Sequence, residues 1–122
     1  DLIHDVFPAL SALCIAIICG MVVALNQSKI ASLSLIVFAA IFIHNLLGYA
    51  GGYLGGMLLR FDLRRRRTLS IEVGMQNAGL GAVLALSHFS SETAIVPALF
   101  ATWCVITASL LARYWGRQTD DV

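Results

Sequence analysis

Apolar runs alternate with short polar clusters along this chain, and the apolar runs are long. A membrane-crossing helix needs about 20 largely apolar residues. The pattern predicts four such spans, over about Val6–Leu25, Ile30–Leu59, Thr68–Phe89 and Thr93–Tyr114. Nothing ionisable occurs in the first, and Pro8 stands near its start, where a missing N–H is harmless. It reads as a scaffold or lipid-facing helix. Asn26-Gln27-Ser28-Lys29 reads as a polar turn. The second run would reach about 45 Å as one helix, so tilt or extension past the bilayer is expected. Ser90-Ser91-Glu92 offers a turn and a cap for the fourth span, which carries Pro97 in its first turns. Tyr114 and Trp115 suit an interfacial aromatic belt, and Gly116–Val122 reads as a frayed polar tail.

The third run breaks the pattern. Within Ser70–Ala82 stand Glu72, Gln76 and Asn77, with Gly74, Gly79 and Gly81 among them. An acid at membrane depth costs about 3 kcal/mol on insertion scales and faces a cavity or a partner. Glycine weakens a helix by about 1 kcal/mol relative to alanine. Irregular backbone survives at that depth only where protein buries it or it lines a wet cavity. The expectation is a broken helix holding a polar ligand. A first half-helix runs through about Val73, an unwound stretch covers Gly74–Gly79, and a second half-helix continues to His88.

The second run is also distinctive. Gly48, Gly52 and Gly56 repeat at four-residue spacing, as do Gly51 and Gly55. Such faces let helix backbones approach closely, and packing is the expected role. His44 and Asn45 lie near the middle of the run. Interhelical hydrogen bonds are the favoured reading; a proton relay or ligand role for His44 is the alternative.

Charge sets the orientation. Hydrophobic residues make up 59% of the chain and charged ones 12%, against about 25% charged in a soluble domain. Five of the eight basic residues fall in the Arg60–Arg67 loop. The run is short and wedged between spans, which speaks against nucleic acid. Positive loops stay cytoplasmic, which places the Arg60–Arg67 loop inside, and Arg113 and Arg117 put the C-terminus there too. Cys14, Cys19 and Cys104 sit in apolar runs without metal-ligand spacing and read as packing residues. The chain opens Asp1-Leu2-Ile3-His4-Asp5, without the basic start of a cleavable signal, and reads as an internal boundary.

The stretch Glu72-Val73-Gly74-Met75-Gln76-Asn77-Ala78-Gly79-Leu80 resembles the signature of the bile acid:sodium symporter family. Leu46–Gly56, His88-Phe89 and Pro97-Ala98-Leu99-Phe100 extend the likeness. The resemblance implies an all-α transmembrane fold. These four spans, with their discontinuous third helix, would match part of one inverted repeat of a ten-helix secondary transporter, its C-terminal half. It further implies that Glu72 and Gln76 help bind sodium, the coupling ion.

The residues themselves agree with that implication. Unwinding frees carbonyls that attract a cation, while the half-helix that follows presents an N-terminus that attracts an anion. Glu72 supplies charge, Gln76 a neutral oxygen, and the carbonyls of Val73 and Met75 two more ligands. Asn77, Ala78 and Gly79 would lie near the substrate. The implied function is sodium-coupled transport of an organic anion, a bile-acid-like or pantoate-like carboxylate, in a bacterial inner membrane. Trp103 is followed by Cys104-Val105, where some bacterial relatives carry His-Asn near the bound substrate, and this departs from steroid recognition. The partner repeat, from the same protein or a second chain, would complete the sites. The alternative is a non-transporting membrane scaffold or a truncated paralogue. No nucleophile-base pair or metal triad points to an enzyme.

Overall fold

All regular structure among the described residues is helical, in the order α1 (Leu2–Leu25), α2 (Gln27–Ala31), α3 (Leu35–Leu58), α4 (Leu63–Met75), α5 (Ala78–His88) and α6 (Ile95–Arg117). The computed structural model describes residues 2–118, with side chains from residue 6 onward. The charged opening at Asp1–Asp5 therefore lies outside the described side chains, and positions 119–122 of the expected tail lie outside the described residues. Four stretches are long and apolar enough to cross a membrane: Val6–Leu25, Leu35–Leu58, Leu63–His88 and Ile95–Arg117.

Several boundaries differ from expectation, each for a local reason. The polar turn at Asn26–Lys29 is partly helical, because α2 forms over Gln27–Ala31. The second span starts later than Ile30, at Leu35, where the Ser34 hydroxyl accepts the Ile36 N–H and caps α3. The arginine-rich loop is mostly helix. Asp62 caps α4 by accepting the Arg65 N–H at 2.9 Å, so Arg64 to Arg67 occupy the first turns. The break in the third span is only Gln76-Asn77, shorter than the expected Gly74–Gly79, and both of those glycines are helical.

The chain forms two compact units. The first comprises residues 1–33 and 77–99 and contains α1, α2, α5 and the opening of α6. In it α5 presents the small residues Ala78, Gly79, Ala82 and Ala85, all buried. Gly79 lies against Ile15 of α1: a Cβ at Gly79 would come within 2.9 Å of that side chain. Buried Asn26 donates its amide to the Val22 carbonyl at 2.8 Å, satisfying one of the groups left open where α1 ends. Lys29 pairs with Glu92, so the connection after α1 and the one after α5 meet at one end of this unit.

The second unit comprises residues 34–76 and 100–122. Its centre is the α3–α4 hairpin. The turn closes with Arg60 at φ 57°, the Arg60 N–H bonded to the Met57 carbonyl and the Phe61 N–H to the Gly56 carbonyl. This is the left-handed helix ending that glycine usually occupies. The glycine face of α3 then lies on the α4 backbone. A Cβ at Gly52 would fall 2.6 Å from the Leu69 oxygen and 2.8 Å from the Ser70 Cα. At Gly48 it would fall 3.0 Å from the Gly74 Cα, and at Gly56 3.2 Å from the Arg66 Cα. The second glycine pair does not share this role, since nothing lies within 4 Å of a Cβ at Gly51 or Gly55. Gly51 is one position, about 100°, around the helix from Gly52 and so turns away from α4. Buried Ser70 adds a hydrogen bond to the Tyr49 carbonyl at 2.7 Å. Arg67 lies over the Trp115 ring and bonds the Trp115 carbonyl and Gln118, which ties the start of α4 to the end of α6.

Candidate functional site

Helix α4 stops because of one backbone conformation. Gln76 has φ 51° and ψ 175°. This region is nearly restricted to glycine and costs another residue about 1–3 kcal/mol. Such strain persists only where surrounding contacts hold it. His44 Nε2 lies 3.0 Å from Gln76 Oε1, and the Nε2–H tautomer donates to that oxygen. The His44 ring in turn meets Phe100 edge-on, with centroids 5.5 Å apart. The Gln76 N–H still reaches back to the Glu72 carbonyl, but at 3.4 Å.

The carbonyls of the last turn of α4 have separate fates. Asn45, 2% exposed, donates its amide to the Gly74 carbonyl at 2.9 Å. The Val73 carbonyl turns toward α3, 3.0 Å from where a Cβ at Gly48 would stand. Because α4 ends at Met75, the carbonyls of Val73 and Met75 lose the in-helix partners they would have had. They are acceptors without a continuing ladder, next to a neutral side-chain oxygen on Gln76.

Glu72 lies one turn before Gln76 on α4 and is exposed. It borders a groove with Arg65, Thr68 and Leu69. Among the described residues its carboxylate forms no ion pair; the arginine nearest an acid, Arg65, faces Asp62 at 3.4 Å. An exposed, unpaired carboxylate at this depth is costly against lipid, so it requires a cavity or further protein beside it. Glu72, Val73 and Met75 thus fall within the final turn of α4, and Gln76 is its C-cap, all in the second unit.

The other predicted residues open α5, in the first unit. Asn77 is its N-cap, and its side-chain oxygen accepts the Leu80 N–H at 3.1 Å. That oxygen is therefore occupied, which leaves the Asn77 amide NH2 and the N–H groups of Ala78 and Gly79 as donors for an anion. Ala78 and Gly79 are buried and carry no polar side chain, so whatever they offer is backbone.

Residue types and spacing did not point to two further neighbours of this turn, Tyr49 and Thr107. Tyr49 covers Gly74 so closely that a Cβ there would enter its ring. Thr107 on α6 donates to Asn45 Oδ1 at 2.9 Å and lies 2.8 Å from the Tyr49 hydroxyl. Trp103 packs on Phe42 with ring centroids 6.0 Å apart. A threonine in an apolar helix carries little signal by itself. Asn45 was the available clue, and the interhelical bonds expected of His44 and Asn45 are both present.

Comparison with known proteins gives a consistent group. The uncharacterized sodium-dependent transporter YocS of Bacillus subtilis is 39% identical over 111 residues, which are 91% of this chain and 35% of that protein. The probable sodium/metabolite cotransporter BASS1, chloroplastic, of Arabidopsis thaliana is 38% identical over 118 residues, 95% of this chain and 29% of that protein. BASS3 of the same plant, also named a probable sodium/metabolite cotransporter, is 30% identical over 120 residues and is covered to 27%. The chain thus spans about a third of the length of the curated relatives it matches. No family model matches it.

Proposed function

Since the chain belongs to the bile acid:sodium symporter family, whose members it matches along most of its own length, we propose that it forms part of a sodium-coupled secondary transporter for an organic anion. In this reading Glu72, Gln76 and the carbonyls of Val73 and Met75 are its contribution to a sodium site. Asn77, Ala78 and Gly79 meet the anionic group of the substrate, a bile-acid-like or pantoate-like carboxylate. The rest of both sites comes from a preceding inverted repeat or from a second chain. The protein is placed in the bacterial inner membrane with Arg60–Arg67 and the C-terminus in the cytoplasm.

One observation carries the reading: the last turn of α4 and its cap gather an acid, a side-chain amide and the Val73 and Met75 carbonyls without in-helix partners, while α5, in the first unit, opens with backbone N–H groups at Ala78 and Gly79. Sodium is a hard cation and favours oxygen ligands, as magnesium and calcium do. The opening of α5 carries about half a positive charge and free N–H groups, which favour an anion. No Lys or Arg follows Arg67 in this span, so backbone donors and the Asn77 amide do the binding. Donors of that kind read charge more than shape, which fits a broad range of carboxylates.

Coupling follows from the ligand charges. Sodium held in the last turn of α4 adds positive charge for an anion bound a few residues further on. By linkage, if sodium raises substrate affinity, substrate raises sodium affinity by the same factor. Titration calorimetry on the intact transporter tests this, using a carboxylate substrate and its neutral amide analogue with and without sodium. The carboxylate is expected to bind more tightly, and sodium to strengthen that binding alone. Equal affinities, unchanged by sodium, would refute the proposal.

A further inference from the structure

Asn45 and Thr107 have no place among the ligands above, yet they form the best-defined polar cluster in the second unit. Its hydrogens can be placed by elimination. The Gly74 carbonyl can only accept, so the Asn45 nitrogen faces it, at 2.9 Å. Asn45 Oδ1 must then accept from Thr107 Oγ1, at 2.9 Å. Thr107 has a single hydroxyl hydrogen. With that hydrogen committed to Asn45, its contacts to the carbonyls of Trp103 at 3.1 Å and Cys104 at 3.2 Å are not donations. The Tyr49 hydroxyl, 2.8 Å from Thr107 Oγ1, must therefore be the donor of that pair. The order Tyr49 to Thr107 to Asn45 to Gly74 is one-directional, with the Cys104 carbonyl a longer contact of the Tyr49 hydroxyl at 3.4 Å. Asn45 is buried, so breaking the chain would strand a polar group away from water.

The last link acts on the peptide between Gly74 and Met75. By accepting from Asn45, the Gly74 carbonyl is held in one orientation with one of its two lone pairs engaged, which makes it a poorer cation ligand than an unbonded carbonyl. The Tyr49 ring, one turn further along α3, packs directly over the same glycine. Pinning this peptide also fixes the flanking ones, which carry the Val73 and Met75 carbonyls.

We infer that Asn45, oriented by Thr107 and Tyr49, is a positioning residue for the cation site: it engages the Gly74 carbonyl and sets the Val73 and Met75 carbonyls for the ion. This inference rests on the sodium-site assignment for the end of α4. Groups that orient ligands in this way typically change metal affinity about ten- to a hundredfold when altered.

The test uses the intact transporter, purified and reconstituted, with two readouts: the half-saturating sodium concentration for uptake, and the rise in melting temperature that sodium alone produces. Asn45→Asp keeps the shape but turns the donor into an acceptor facing the Gly74 carbonyl. Thr107→Val removes the donor to Asn45, and Thr107→Ser restores it. Half-saturating sodium is expected to rise about tenfold or more in Asn45→Asp. It should rise less in Thr107→Val and return toward wild type in Thr107→Ser. The sodium-induced melting shift should shrink in the same order. If Asn45→Asp does not fold, the two Thr107 variants decide the matter. A lower melting temperature with unchanged half-saturating sodium and an unchanged sodium shift would overturn the inference, because the cluster would then be structural only. Glu72→Ala separates the two levels. Retained sodium dependence in that variant removes the cation site itself, whereas its loss together with a normal sodium response in Asn45→Asp removes only the positioning role.

Discussion

Gly52 of α3 lies against Ser70 of α4 so closely that a single added carbon would stand 2.8 Å from the Ser70 Cα and 2.6 Å from the neighbouring Leu69 oxygen. Both obstacles are backbone and cannot swing aside. Gly52→Ala is therefore expected to destabilise the protein by about 1–3 kcal/mol through overpacking. Gly56→Ala, at 3.2 Å from the Arg66 Cα, should cost less. Melting curves of the variants check the order; equal stability of Gly52→Ala and wild type would mean that α3 and α4 are not in contact there.

Glu72→Ala is expected to abolish sodium-dependent uptake while leaving expression normal. The carboxylate is exposed and has no ion-pair partner among the described residues, so its removal strands no opposite charge within this chain. Uptake into proteoliposomes with and without a sodium gradient is the measurement. A variant that keeps full sodium dependence would locate the site elsewhere.

Gln76 separates stability from function. Its φ of 51° is relieved by glycine. Gln76→Gly should stabilise the fold by up to about 1 kcal/mol if relief of strain exceeds the lost His44 contact. The same change deletes the side-chain oxygen and should weaken sodium binding. Paired thermal melts and sodium titrations read both effects, and stronger sodium binding in the glycine variant would contradict the ligand role.

Orientation can be read chemically. In a background with Cys14, Cys19 and Cys104 replaced, single cysteines at Arg65 and Thr68 are expected to react with impermeant reagents only after the cytoplasmic side is opened. Both positions are exposed on α4. Labelling from outside intact cells would invert the proposed topology.

The number of spans and the existence of a break were determined by the sequence alone. Span length follows from bilayer thickness, and runs of apolar residues are countable without any contact information. Glu72, Gln76 and Asn77 stood out because polarity inside such a run is costly wherever the chain later goes. The four-residue glycine spacing likewise predicted a close helix contact, since that period returns to one face of a helix.

Which glycines make the contact was decided by tertiary structure. Gly48, Gly52 and Gly56 meet α4 and Gly51 and Gly55 do not, a choice that depends on where the partner helix lies. The extent of the break was another such decision. Glycines at positions 74 and 79 weakened the helix on paper, yet Tyr49 and Ile15 pack on them and both remain helical. A helix lost on propensity by about 1 kcal/mol per glycine is recovered by burial of a neighbouring side chain. The network from Tyr49 through Thr107 and Asn45 to Gly74 was also invisible in the sequence. Its members lie up to 62 positions apart, and only folding brings them within hydrogen-bond distance.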